Sequence, residues 1–539
     1  MSFFARIFGQ KTAKPSGGVA RPNRAQARYL RDSNSGILAS RMAPLTENRD
    51  EVRRSWQRAA ALALDIIQNS GQLKGACDQI IADTVGSELL LNPEPKLDRL
   101  GYDEKERNEL IKLIKDEYRL YSWNALECDL RGKFTMPQQV DIGIRYYLAF
   151  GEITGFNDWM PAAERKKRGL IFGTKSCLVP PTRLVQDTNE TENLFQGVYH
   201  DELGRPTAYL FEEKVGSFSK KVKHPAFDAS GRRSVLHIFD PSCATDVRGI
   251  SVLAPAIRTH LQRETLVDAT LQMNILQTLI SIVLTSDKPS LEAFEAIEQL
   301  KNAGAESSKD FMDAFTGYML GSLEKSAEAE IQLGVDPQVS HLGPGEKLDI
   351  KKADMPGQQF LPFNATLARD MARALNTTYG GLTMDYTDAT YASTRMETSS
   401  VWPGVTRRRE RIAAPLPQSN YESWLDECIA TGRIPFKGGF AAFTANRDRV
   451  CWTNWQGPAK PTADDYKSSR ASSERLNNRT SSVAKETADM GLDRDEVMRQ
   501  QEEEHNWYVE RGMRSPYESP ATNLRDIAEE EPEKEAASS

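Results

Sequence analysis

The chain has 539 residues, a formal net charge of −7, and 39% hydrophobic against 27% charged residues. That length leaves room for more than one buried core, and the composition is that of a folding chain rather than a disordered one. An acidic balance argues against a surface built to grip a phosphate backbone, as a repressor or nuclease clamp must. The six cysteines, Cys77, Cys128, Cys177, Cys243, Cys428 and Cys451, are far apart, with no C-x-x-C and no His at ligand spacing. They signal neither a zinc site nor a disulfide framework and fit synthesis in a reducing cytoplasm. Phe3 to Phe8 is too short for a signal peptide. The most apolar stretch, Ile275 to Leu284, is interrupted by Gln277, Thr278 and Ser281 and falls short of the ~18 to 20 residues of a membrane span.

From Met1 to about Pro44 the chain is rich in Arg, Lys, Gly, Ser and Pro, with almost no periodic apolar face. It reads as a basic arm, either solvated or ordered against a partner subunit or an acidic surface. From Glu47 on, Trp56, Ala60, Leu64 and Ile67 recur at helical spacing up to Asn69-Ser70-Gly71. Leu73, Ala76, Ile80, Ile81 and Val85 carry a second helix to Gly86, and a short apolar run, Leu89 to Leu91, stops at Pro93 and Pro95. Residues 103–150 read as helical, with Leu110, Leu113, Ile114 and Tyr118 on one face and Ile142, Tyr146 and Phe150 on another. Residues 169–240 carry short β-branched and aromatic runs between Pro, Gly and Asp-Glu turns, which predicts strands.

Past Arg248-Gly249 comes the clearest helix, with Pro255 near its first turn and Asp287-Lys288-Pro289 as its stop. Leu253, Ile257, Leu261, Val267, Leu271, Ile275, Leu279 and Val283 climb mostly in steps of four along a rod of ~45 Å. Such an apolar seam is hard to bury within one subunit and predicts a closed homo-oligomer. Residues 290–360 are charged and less regular, with an amphipathic helix (Leu291, Phe294, Ile297, Leu300) and a hairpin-like stretch at Gly343-Pro344-Gly345. Asn364 is the expected cap of a shorter helix bearing Leu367, Met371, Ala374 and Leu375, with Gly380-Gly381 as its stop. A loop with Asp385, Tyr386, Asp388 and Tyr391 follows. A long helical stretch then runs from Ser393 through Arg407-Arg408-Arg409-Glu410-Arg411 toward Pro415 and Pro417, which must break or kink it. Polar helices near 462–480 and 482–511 precede an end, from Pro516, that is acidic and expected to be disordered unless a partner covers it. The fold class is α+β, predominantly helical.

Gly169 to Ser176 is the nearest approach to a phosphate loop, but Thr174 stands where the motif needs Gly before Lys175, so the segment reads as strand and turn. Asp385 and Asp388, without a third acid or His nearby, make a poor Mg²⁺ site. Arg407 to Arg411 places charge on several faces of a helix and reads as a solvated or inter-subunit salt-bridging patch, with direct DNA contact as the alternative. The six histidines are scattered, and no triad is signalled. No catalytic residue, metal ligand or cofactor is expected.

Four signatures stand in order and at characteristic spacing. They are Arg53 to Asn69 followed by Asp83-Thr84-Val85-Gly86-Ser87; His237-Ile238-Phe239-Asp240-Pro241 followed by Arg248-Gly249-Ile250-Ser251; Asp385 to Arg395; and Asn478-Arg479-Thr480 leading to Gly491-Leu492-Asp493 and Glu496-Val497. In this the chain resembles, from about Arg49 to Gly512, the lambda-type portal proteins of tailed bacteriophages. Ala392 and Thr394 depart from the family, which often has Ser and a small residue there. Trp402-Pro403-Gly404 interrupts a helix expected to be smoother.

The resemblance implies a non-enzymatic portal fold with wing, long-helix stem, clip and crown, assembling into a ring of about twelve subunits. By position, a basic arm (1–45) precedes a wing (46–250), helical and then strand-rich. The first stem helix (251–286), the clip (287–363), the second stem helix (364–380) and the channel loop (381–394) follow. A long wing helix (395–435), a C-terminal wing and crown region (436–514) and an acidic tail (515–539) complete the chain. The ring would stand at one capsid vertex of the virion, after assembly in the host cytoplasm, as conduit for genome packaging and ejection. Its implied partners are its own copies, double-stranded DNA in transit without sequence specificity, the terminase large subunit, the head–tail adaptor and the major capsid protein, with no membrane. Gly380, Gly381, Asp385, Tyr386, Asp388, Tyr391 and Arg395 would meet the DNA, and Ile257, Leu261, Val267, Leu271, Ile275, Leu279 and Val283 would pack the stem. The alternatives are a DNA-processing enzyme of the packaging machinery, which needs a phosphate loop or an acidic metal cluster, and a capsid or tail structural protein without a pore.

Overall fold

The computed structural model describes residues 45–215, 218–280, 359–387, 389–462 and 464–518. Residues 45–47 belong with the N-terminal arm to a separate unit, and the fold below is that of Asn48 onward. The expected clip up to residue 358, the end of the first stem helix with Val283, Asp388, and the acidic end from residue 519 lie outside the described residues. Of Ile275 and Leu279 only the backbone is described.

Helix α1 (Asn48–Asn69) buries Val52, Trp56, Ala60, Ala63 and Ile66, leaving Leu64 and Ile67 at the edge of that stripe. Ser70 ends it and caps α2 (Gly71–Val85), its hydroxyl accepting from the Leu73 N–H at 3.3 Å. The apolar run that follows is β1 (Leu90–Pro93). Reciprocal capping boxes start the next two helices: Asp103 with Glu106 opens α3 (Glu104–Ser122), and Thr135 with Gln138 opens α4 (Met136–Phe150). On α4 the buried stripe is Val140, Ile144, Tyr147 and Leu148, while Ile142 and Tyr146 pack at its border.

The strand-rich block forms two antiparallel sheets. In the first, β2 (Glu152–Trp159) lies between β3 (Thr174–Val179) and β8 (Val235–Phe239). The second orders β4 (Leu194–Phe195), β5 (Val198–His200), β6 (Pro206–Val215) and β7 (Phe218–Pro225) in sequence, as a meander.

Helix α5 (Ala254–Ile280) leaves this body and meets α6 (Phe360–Leu375), through Thr259 to Asp370 at 3.4 Å and Arg263 Nε to Asn364 Oδ1 at 2.7 Å. Asn364 is therefore a side-chain partner inside α6, one turn past its start, and not its cap. The end of α6 is also set differently from the expected 364–380. Asn376 adopts the left-handed conformation, φ 53°, and its N–H closes on the Ala372 and Arg373 carbonyls. Asparagine tolerates that conformation, so no glycine is needed there.

A short helix α7 (Tyr379–Thr383) holds Gly380 and Gly381 within it. Then α8 (Tyr391–Arg408) runs through Pro403 without interruption. It passes by a π turn, Arg409–Ala413, into α9 (Pro415–Ala430). The Ala414 N–H bonds Arg409 O at 2.8 Å, a wide turn that places Pro415 at the first helical position, where a missing N–H costs nothing. The expected break is thus a change of helical pitch.

Strand β9 (Thr453–Gln456) pairs antiparallel with the distant β1. The core gathers around Tyr118 and Tyr121 of α3, Phe172, and Tyr421 and Trp424 of α9, with Tyr118 and Trp424 centroids 5.1 Å apart. Helices α10 (Asp465–Asn477), α11 (Val483–Asp489) and α12 (Arg494–Glu510) follow, and α12 is tied to α3 by the Lys115–Asp493 ion pair.

Candidate functional site

The root of α5 is held by a buried ion pair. Arg248 is fully buried, and its Nε lies 2.9 and 2.8 Å from the two carboxylate oxygens of Glu152 on β2. Its Nη1 and Nη2 donate to the carbonyls of Gln196 at 3.2 Å and Pro181 at 3.3 Å, and the Trp56 ring of α1 lies 4.8 Å from the guanidinium. His237 of β8 closes the group, with Nε2 3.0 Å from Glu152. Burial alone would raise the Glu152 carboxyl, but Arg248 and His237 overcome it and hold it at about 2. Beside the pair, Gly151 and Gly249 interlock: a Cβ on Gly249 would stand 2.0 Å from Gly151 O, and one on Gly151 2.1 Å from Ile250 O. The signature Arg248-Gly249-Ile250-Ser251 is therefore the joint that fixes how α5 leaves the sheet. Ser251 Oγ adds a bond to Leu148 O at 2.8 Å.

Along α5 the burial changes. Leu253 and Ile257 are buried against the body, but Leu261, Val267 and Leu271 are 40%, 39% and 56% exposed. The polar contacts with α6 come from other positions, Thr259 and Arg263. Of the seam read from the sequence, Leu261, Val267 and Leu271 thus stay exposed within the single chain, while Ile257 is buried in the core that also holds Met371 of α6.

The loop residues gather at the end of α6. Thr378 Oγ1 accepts from the Gly381 N–H at 2.9 Å and starts α7. Neither Gly380 nor Gly381 has positive φ, so the sharp turn expected of them is made by Met384, φ 56°. Gly380 is needed for another reason: a Cβ there would sit 2.4 Å from Cε1 of Tyr386, whose ring lies on it. Asp385 accepts from the Thr387 N–H and hydroxyl at 3.1 and 2.6 Å and from the Tyr379 hydroxyl at 3.3 Å, bonds that lower its pKa. Tyr391 begins α8 beneath the Lys467 ammonium, 4.9 Å from the ring, and Arg395 is exposed.

Between α2, α6, this loop and α8 lies a cleft of about 890 Å³, lined among others by Asp83, Leu361, Arg369, Tyr386, Glu397 and Trp402. Burial raises the pKa of Asp83.

The arginine run is divided: Arg407 and Arg411 are exposed, as a solvated patch requires, whereas Arg408 and Arg409 turn inward. Arg407 forks onto Asp240 at 3.0 and 2.9 Å, and buried Arg408 donates to Leu375 O at the end of α6 at 3.4 Å. Arg409 donates to Thr84 O and Asp83 O at the end of α2 at 2.9 and 3.1 Å. A helix turns ~100° per residue, so neighbouring arginines reach different elements. Two of them neutralise the carbonyl ends of two helices.

The phosphate-loop look-alike is an anion loop whose anions are internal. Glu127 accepts from the N–H groups of Ile171 and Phe172 at 2.9 and 3.0 Å, and Glu427 from those of Gly173 and Thr174 at 2.6 and 2.8 Å. The Lys175 ammonium is buried on Leu126 O and Glu127 O. Sequence reasoning missed both glutamates and Glu152, because a partner in a different element leaves no local spacing. Among the described residues no group of three metal-ligating side chains is found, and no helix is long and apolar enough to cross a membrane.

Residues 34–409 match the lambda family of phage portal proteins. The chain is 24% identical to portal protein B of Escherichia phage lambda, over 88% of this chain and 89% of that protein. It is 23% identical to the portal protein of Escherichia phage N15, over 83% of each. Among solved structures, it is similar to a chain of the neck of a native gene transfer agent particle, with TM-score 0.37 and 14% identity over 85% of this chain and 97% of that one. The chain belongs to the lambda family of phage portal proteins. Its function is that of a phage portal protein, and its fold, mainly helical with small sheets, is the portal fold.

Proposed function

We propose that copies of this chain close into a ring of about twelve at one capsid vertex, through which the genome is packaged and ejected. The observation that carries this is the seam of Leu261, Val267 and Leu271, exposed along a helix whose root is fixed by buried Arg248. Apolar side chains on a projecting rod are stable when neighbouring copies cover them. On this reading α5 and α6 are the stem, residues 287–363 the clip that docks the terminase large subunit and the head–tail adaptor, and the body around the sheets the wing. The major capsid protein surrounds the ring in the virion, which is assembled in the host cytoplasm. Negative-stain class averages of the purified full chain test it: rings with a central hole are expected, and monomers at micromolar concentration would overturn it.

Residues 381–394 are the part nearest the DNA on this reading. Their support is exposure of Asp385 and Tyr386 in a turn held by Asp385 itself, and of Tyr391 at the start of α8. Carboxylates repeated around a ring repel a passing phosphate backbone and keep contact brief. Reversing Asp385 and Asp388 to Lys together should leave rings intact and make DNA retention salt-sensitive. Packaging and ejection equal to wild type across a salt series would remove the loop from the constriction. The protein is read as non-enzymatic: purified chain should hydrolyse neither ATP nor DNA with Mg²⁺. Turnover lost on Lys175→Ala would overturn that.

A further inference from the structure

A ring built head to tail needs two different surfaces on every subunit, one for each neighbour. The cleft beside the loop is one candidate. Its carboxylates, Asp83, Asp385 and Glu397, outnumber its single guanidinium, Arg369, which lies 5.0 Å from the Tyr379 ring. Exposed Leu361 and Tyr386 stand at it. It is an acidic socket with apolar edges.

The matching surface runs from the flank to the far side of the same helix. Ser393, Glu397 and Val401 of α8 line the cleft, in steps of four. Thr398 and Trp402 widen that lining, so Arg395, two residues from Glu397, stands at its flank above Trp402 and turns out of the cleft only in part. Met396, beside it, is 74% exposed. Among the described residues neither Arg395 nor Glu397 makes an ion pair or a side-chain hydrogen bond. From Tyr391 to Thr406 these are the only charged residues, although eight of the first ten positions of α8 are exposed. A helix so poor in charge and so exposed has the composition of one that packs on a partner.

We propose that the outer face of α8 around Arg395 and Met396 in one copy seats in the cleft of the next copy, Arg395 meeting Glu397. This rests on ring assembly as read above. The occupant is a second copy because the cleft's excess negative charge and the lone cation of the flank are complementary, and Arg395 and Glu397 lie on different faces of one helix, as a head-to-tail contact requires. The pair cannot form within a chain, since residues two apart on a helix do not face each other.

The test is a charge reversal in the full chain, read by mass photometry over a dilution series, with circular dichroism confirming helix content. Arg395→Glu and Glu397→Arg should each raise the concentration for half-assembly on the order of 10-fold or more. The double reversal restores opposite charges between copies and should return close to wild type. Unchanged assembly of Arg395→Glu, or a double reversal no better than the singles, overturns the contact while leaving the ring reading intact. Wild-type protein that never forms rings overturns both. As a second readout, Met396→Cys with Leu361→Cys, in a Cys243→Ser background that removes the exposed native thiol among the described residues, should give a ladder of disulfide-linked oligomers on non-reducing gels. Rings without a ladder count against the contact.

Discussion

The carboxylate of Glu427 accepts a hydrogen bond from the Thr174 N–H and another from the Thr174 hydroxyl, each at 2.8 Å. With the Gly173 N–H and Arg165, 2.9 Å away, this fills a run of backbone donors that in a nucleotide-binding loop would face phosphate. Glu427→Ala should leave those buried donors and Arg165 without their acceptor and cost about 3 to 5 kcal/mol, read by urea denaturation. A loss under about 0.5 kcal/mol would mean that water replaces the carboxylate freely.

Glu152 gives a pH dependence with a definite sign. Its carboxyl is held at about 2 against an ordinary 4.5. A depressed carboxylate contributes stability that is fully present above its unfolded pKa and is lost as pH falls from about 4.5 through about 2. The shift corresponds to about 3 kcal/mol. Glu152→Gln should flatten the stability profile in that window and weaken the fold at neutral pH by a comparable amount, since Arg248 stays buried without its anion. Equal slopes for both proteins between pH 2 and 5 would refute the assignment.

Gly404 and Asn376 make a local prediction. A Cβ on Gly404 would fall 1.8 Å from Asn376 Nδ2, which donates weakly to Val401 O at 3.5 Å. Gly404→Ala must push that side chain aside and should lower stability by about 1 to 2 kcal/mol. Asn376→Gly keeps the left-handed cap and removes the clash, so the double variant should regain most of the loss. Failure of that rescue in thermal melts would place the strain elsewhere.

Val267→Asp and Leu271→Asp change side chains already 39% and 56% exposed in the single chain. Each should leave the monomer's melting temperature within about 2 °C of wild type yet reduce ring formation on the order of 10-fold or more in native mass spectrometry. A large drop in monomer stability would place the seam inside the subunit fold.

The sequence by itself determined the helices that repeat apolar residues at regular spacing, the strand-rich block, the order of its four signatures and hence the family. Periodicity is local, and Trp56 and Ala60 mark the buried stripe both before and after folding. What each helix meets was decided by tertiary structure. Four arginines between 407 and 411 look like one basic patch in a row of letters, yet three of them serve Asp240, the end of α6 and the end of α2. Gly380 and Gly381 look like a stop, yet the stop is Asn376, and Gly380 is small to admit Tyr386. Glu127 and Glu427 turn an apparent phosphate loop into an internal salt-bridged turn from a distance no spacing rule spans. A buried charge is set by partners brought together from several elements, and that information exists only once the chain has closed on itself.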